Sequence, residues 1–221
     1  AVALYDAVIG SSTTASVKQA AELARYALTP DDAGDWVEQQ LNASDAAAFD
    51  VGLVAVRQIP GQATAEAIHQ VLPELSSDRQ ALLLQAMVDR EEGVPVSLLT
   101  RLAGSETSAV RDAAIESLAR QADPESIKAL VEVAFSDSAS ATLALKKLQQ
   151  ASGDDVDKAI LAKASQSQTA ASVEFIELIG ARRLTGLKSQ VHEWMSHEEK
   201  EIRNASVTAM AQIGDAADLE S

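Results

Sequence analysis

Apolar residues recur along this chain at helical spacing. In 107–120 they are Ala109, Val110, Ala113, Ala114, Ile115 and Leu118, and in 124–135 they are Ile127, Leu130, Val131, Ala134 and Phe135. Steps of three and four residues place such side chains on one side of a helix. Between the two stretches, Asp123-Pro124 reads as an N-cap acid followed by proline at the first helical position. Thr29-Pro30-Asp31-Asp32 opens a helix ending near Leu41 in the same way, and Gly153-Asp154 opens one that contains Val156, Ile160 and Leu161. Gly93, Gly104, Gly153, Gly180 and Gly214 fall at expected breaks. No stretch sustains period-2 alternation, so no strand is expected. The pattern predicts helix pairs 14–28 with 31–42, 45–58 with 62–74, 77–89 with 94–103, 107–121 with 124–135, 138–150 with 154–165, and 168–181 with 185–196. A last helix covers 199–212; 1–12 read as the tail of an earlier pair and 215–221 as a frayed end.

The pairs recur with a period. Polar punctuation at Ser44, Ser77, Ser105, Asp137, Gln166 and His197 marks steps of 33, 28, 32, 29 and 31 residues. A unit of that length holds two helices of about 12 residues and two turns. Val110-Arg111-Asp112-Ala113-Ala114 matches Ile202-Arg203-Asn204-Ala205-Ser206 at an offset of 92, three units away. Ile179-Gly180 matches Ile213-Gly214 at 34, about one unit. The units run 14–44, 45–76, 77–106, 107–137, 138–167, 168–198 and 199–214.

An apolar residue followed by Arg, a variable residue and Ala, then Ala-Leu and often Gly-Asp, resembles the HEAT-repeat family in its short bacterial form. Val110 to Leu118 with Asp123, Ile202 to Met210 with Ile213-Gly214-Asp215, and Glu177 to Arg183 with Leu187-Lys188 carry the resemblance. It covers about 14–214; the first unit lacks the Val-Arg pair and the second has Gly52 in mid-helix. The resemblance implies one repeat domain over 1–221, an all-α right-handed solenoid of about six to seven antiparallel helix pairs. It also implies a scaffold or protein-binding role, or an accessory region of a larger bacterial extracytoplasmic enzyme. A helical-repeat enzyme, such as a lyase subunit or a DNA glycosylase, shares this architecture.

Composition narrows the function. The chain has 42 Ala and 23 Leu in 221 residues, favouring helices that approach closely. There is no Cys, which excludes disulfides, thiolate metal sites and cysteine nucleophiles. The net charge of −15 argues against nucleic acid, because phosphate neutralisation needs a basic face. The acidity is uneven: residues 1–92 carry −9 and residues 128–203 carry −1. It keeps the protein soluble or attracts a basic partner. No apolar run approaches the length of a membrane span, and Ala1 is not followed by a basic, signal-like region.

Catalytic chemistry finds little support in this pattern. His192 and His197 are five residues apart, whereas metal pairs on one helical face need three or four. The acid pairs Asp31-Asp32, Glu91-Glu92, Asp154-Asp155 and Glu198-Glu199 are neighbours at helix starts or turns, where capping is expected. There is no G-x-S-x-G elbow and no phosphate-cradling glycine motif. The expectation is a protein that is not an enzyme, with no cofactor, no metal, no nucleic-acid partner and an unidentified protein partner. Trp36 and Trp194, on second helices, are either packing residues or partner anchors. In the register of 124–135, Lys128 and Glu132 face outward from a second helix, and Glu38, His69, Thr100, Lys188 and His192 are the equivalent positions. These seven are the expected partner surface.

Overall fold

The computed structural model describes residues 1–12, 14–88, 90–136, 138–166 and 172–214. Among them the chain forms fourteen α-helices and three short 3-10 turns, with no strand. The first seven helices are α1 (Val2–Ser11), α2 (Ala15–Leu28), α3 (Gly34–Asn42), α4 (Ala46–Gln58), α5 (Gln62–Val71), α6 (Ser77–Met87) and α7 (Val96–Leu102). They are followed by α8 (Ser108–Gln121), α9 (Pro124–Ala134), α10 (Ala141–Gln150), α11 (Asp154–Gln166), α12 (Val173–Ala181), α13 (Lys188–Trp194) and α14 (Lys200–Ile213). Every helix expected from the periodicity is present. The expected ends at 89 and 168, the unit boundaries at 137, 167 and 168, and the tail 215–221 lie outside the described residues.

Where limits differ, proline usually explains it. Pro73 has no N–H to continue α5, so Leu72–Glu74 tightens into a 3-10 turn. Pro95 disfavours helical backbone at Val94, and α7 starts at Val96 instead of 94. Pro30–Asp32 forms a separate 3-10 turn ahead of α3. Asp123 caps α9 as expected, accepting from the backbone N–H of Glu125 at 2.9 Å and of Ser126 at 3.0 Å. Partial burial opposes the charge on Asp123, but these bonds and the Ser126 hydroxyl hold its carboxyl below the ordinary value. Gly180 is not a break. It lies inside α12 and is buried; the left-handed turn after that helix falls at Arg183, with φ of 54°.

The chain divides into two compact units, Ala1–Ser117 and Leu118–Ser221, the division falling within α8. In the first, α4 packs on α2, α3 and α6, and α3 packs on α5. In the second, α10 packs on α9 and α12, α12 and α13 pack on α14, and α9 packs on α11. First helices thus meet first helices and second helices meet second helices within each unit. Most of the stripes read from the sequence lie in the core: Val110, Ala113, Ala114, Ile115 and Leu118 of α8 are buried, as are Ile127, Leu130, Val131 and Ala134 of α9, whereas Ala109 is exposed and Phe135, past the end of α9, is half-buried. Burying each large aliphatic side chain contributes about 1.5–3 kcal/mol. Glycine lets two helix pairs close further. A Cβ at Gly52 would meet Leu41 Cδ2 at 2.9 Å, and one at Gly180 would meet Ala209 Cα at 3.0 Å.

Arginines tie together helices about thirty residues apart in the chain. The last carbonyls of a helix have no partner inside it. Arg90 Nη1 donates to the carbonyls of Val56 and Ile59 at the end of α4 (2.6 and 2.7 Å), and its Nη2 to Gly61 at 3.3 Å. Arg182 does the same at the end of α10, donating to Leu148, Ala151 and Gly153. The acceptors lie 34, 31 and 29 residues upstream in both cases. The two arginines are themselves 92 apart, the offset of the Val110 and Ile202 motifs. Gly61 and Gly153 both have positive φ, 105° and 108°, which only glycine adopts without strain. Each clamp has a carboxylate: Glu92 lies 3.1 Å from Arg90, and Asp157 lies 2.5 Å from Arg182 Nε. Desolvation pulls the Arg90 guanidinium below its ordinary value, against the pull of Glu92. The motif arginines Arg111 and Arg203 close the turns before their own helices, binding the carbonyls of Ser105 and Glu106 and of His197 and Glu198.

Candidate functional site

The seven expected surface residues share one structural register. Each directly follows a buried aliphatic residue: Val37 before Glu38, Ile68 before His69, Leu99 before Thr100, Ile127 before Lys128, Val131 before Glu132, Leu187 before Lys188, and Val191 before His192. Thr100, Lys128, Glu132 and His192 are exposed, and Glu38, His69 and Lys188 are half-buried. Several already have a task. His69 Nε2 lies 3.0 Å from the Gly93 carbonyl, Thr100 Oγ1 donates to Val96 in its own helix, and Glu132 on α9 pairs with Lys163 on α11 at 2.5 Å. Glu38 on α3 and His69 on α5 belong to helices that pack together.

Both tryptophans are packing residues. Trp36 is 7% exposed, stacks on Tyr26 with ring centroids 5.0 Å apart, and donates its indole N–H to Glu22 at 3.2 Å. Trp194 is 9% exposed and meets Phe175 edge-on, and Phe175 in turn meets Phe135. Neither indole is an open anchor for a partner.

Asp31 and Asp32 lie in the first turn of the 3-10 segment ahead of α3, at a helix start as expected, and the N-cap residues Thr29 and Ala33 make no side-chain cap bond. Glu92 does bind a helix start, but of α5 rather than its own element: its carboxylate accepts the Gly61 N–H at 2.5 Å. Partial burial pushes the Glu92 carboxyl up, yet the Gly61 bond and Arg90 outweigh it, leaving it below the ordinary value.

Asp31 and Asp32 also line a groove of about 380 Å³ in the first unit. Asp35 and Glu38 of α3 join them, and Glu66 and Gln70 of α5 form the facing wall. No Lys, Arg or His lines it. Gly34 and Ala63, which also line it, sit close together: a Cβ on Gly34 would meet the Ala63 carbonyl at 3.1 Å. Five carboxylates on one groove create a negative potential that focuses cations and basic side chains. Among the described residues, no group of three or more histidines and carboxylates is placed to hold a metal ion. No described helix is long and apolar enough to cross a membrane. The expected list contained Glu38 but missed Asp35 and Glu66. Asp31, Asp35 and Glu38 stand at i, i+4 and i+7, a one-sided acidic stripe that the sequence does display.

No protein-family model matches the chain, and no curated protein matches it. Two crystal structures of engineered proteins from the Northeast Structural Genomics Consortium are similar to it. One is 21% identical with a TM-score of 0.39, covering 96% of this chain and 67% of that one. The other is 20% identical with a TM-score of 0.35, covering 96% of both. Both scores lie below 0.5, so the likeness assigns neither a family nor a function.

Proposed function

We propose that this chain is a non-catalytic protein-interaction module, a right-handed solenoid of about six to seven HEAT-like helix pairs, whose acidic α3–α5 groove receives a basic segment of a partner protein. The observation that carries the reading is the groove itself: five carboxylates converge from the Pro30–Asp32 turn and the packed helices α3 and α5, with no basic side chain among them. The repeat architecture is supported by like-on-like helix packing within each unit and by arginine clamps that recur at matching offsets. A stack of such units gathers equivalent side chains onto an extended surface, which suits binding more than chemistry.

The test uses a partner recovered from the source cell on the immobilised chain and identified by mass spectrometry. Glu38→Lys with Glu66→Lys should weaken its binding, and the wild-type affinity should fall as salt rises, because exposed attraction is screened over about 10 Å at 0.1 M salt. Asp112→Lys with Glu116→Lys, on first helix α8, is the comparison. If that change alone weakens binding, the second-helix surface is wrong.

A further inference from the structure

A second groove lies on first helices, in the second unit. Gly180 brings α12 and α14 into backbone contact, since a Cβ there would overlap Ala209 and the Gln212 side chain. Beside this contact a groove of about 530 Å³ runs along α12 from Val173 to Ala181. Its lining includes the short side chains of Ala205 and Ala209. Its polar lining is unlike that of the α3–α5 groove: the carboxamides of Gln149, Asn204 and Gln212 face it together with the carboxylates of Glu177 and Glu201. All five are exposed.

A carboxamide offers both a donor and an acceptor, the same pair that a peptide backbone presents. A helix spends its backbone groups internally, whereas an extended segment leaves them free, so a row of amides suits an extended chain. The span from Val173 to Ala181 is about 12 Å at 1.5 Å per helical residue, the length of roughly four extended residues at 3.3 Å each. Charge then selects the sequence. Glu177 and Glu201 stand on the two helices, and no basic side chain lines the groove. Arg182 and Arg203, next to lining positions in the sequence, spend their guanidinium groups on backbone carbonyls. Residues 215–221, which follow α14, carry Asp215, Asp218 and Glu220 with no Lys or Arg, so like charge disfavours them as the occupant.

We propose that the α12–α14 groove docks an extended, lysine- or arginine-bearing segment of a partner protein. It lies in a different unit from the α3–α5 groove, so each stands or falls separately. The experiment titrates the isotope-labelled full chain with a blocked Lys-Ser-Lys-Ser-Lys peptide and, separately, with its glutamate counterpart, following backbone amide shifts by NMR. The expected result is saturable shifts on α12 and α14 with the basic peptide alone. Ala205→Leu, which adds bulk to the lining without changing charge, should weaken that binding about tenfold. Glu177→Gln with Glu201→Gln should weaken it as well, and decides the matter if Ala205→Leu alters the thermal melt. Equal response to the acidic peptide, basic-peptide shifts confined to α3 and α5, no saturable shift on α12 and α14, or wild-type binding by the charge-neutralised variant would each overturn the proposal.

Discussion

Arg182→Ala is the substitution with the most calculable consequence. The side chain is 8% exposed and reaches three carbonyls and one carboxylate. Removing it leaves the carbonyls of Leu148 and Ala151, at the end of α10, without their donor. Each stranded acceptor costs about 1–3 kcal/mol. Gly153 is exposed and rehydrates, so its carbonyl adds little. Asp157 is one-third exposed and regains water too, which keeps the loss of its ion pair within about 1 kcal/mol. The sum is about 2–7 kcal/mol of destabilisation, which brackets the roughly 3–5 kcal/mol seen when one partner of a buried ionic network is deleted. Arg182→Lys is a sharper test. An ammonium is a compact donor that cannot span three carbonyls in a fixed fork, so it should recover less than half of the loss. Urea denaturation followed by circular dichroism gives both values, and amide exchange along α10 shows whether its last turn frays. A loss below about 1 kcal/mol for Ala, or full recovery by Lys, would refute the clamp as a source of stability.

Two further outcomes follow from the same contacts. Gly180→Ala should destabilise by about 1–3 kcal/mol, because the new methyl meets the backbone of Ala209, which cannot rotate away. Gly52→Ala should cost less, since its nearest neighbour is the end of the Leu41 side chain; thermal melts of the two variants that rank them the other way would contradict this. Glu92 and Asp123 both have depressed folded-state values. Their contributions are therefore complete above their ordinary values of 4.5 and 3.8 and are lost as pH falls through the depressed ones. Glu92→Gln should flatten the decline of the urea midpoint between about pH 5 and 3, and an unchanged slope would show that Glu92 is not linked to folding.

The helices were legible because each depends on residues three and four apart, as in the Val110 to Leu118 stripe. The register of the seven expected positions was legible for the same reason: each follows a buried aliphatic residue, although Glu38, His69 and Lys188 are only half-exposed. The clamps were not, because Arg90 and Arg182 bind carbonyls about thirty residues away and carbonyls carry no residue identity. Their trace is the pairing of each arginine with a glycine 29 residues earlier. Gly180 looked like a helix end because glycine commonly stops helices; only the packed neighbour shows that it serves interhelical approach instead. The acidic groove was half legible. Asp31, Asp35 and Glu38 mark one wall within a single stretch, but Glu66 joins them only through the packing of α3 on α5.

The placement of the two tryptophans gives the molecule separate optical reporters. Trp36 belongs to the first unit and Trp194 to the second, and the sequence contains no others. Each is buried against aromatic neighbours of its own unit, Tyr26 for one and Phe175 for the other. Replacing either indole with phenylalanine leaves a single emitter whose wavelength reports whether its own half is hydrated. The pair of variants turns ordinary fluorescence into a measure of how far melting in one half is felt by the other, a question that bulk helical signal averages away.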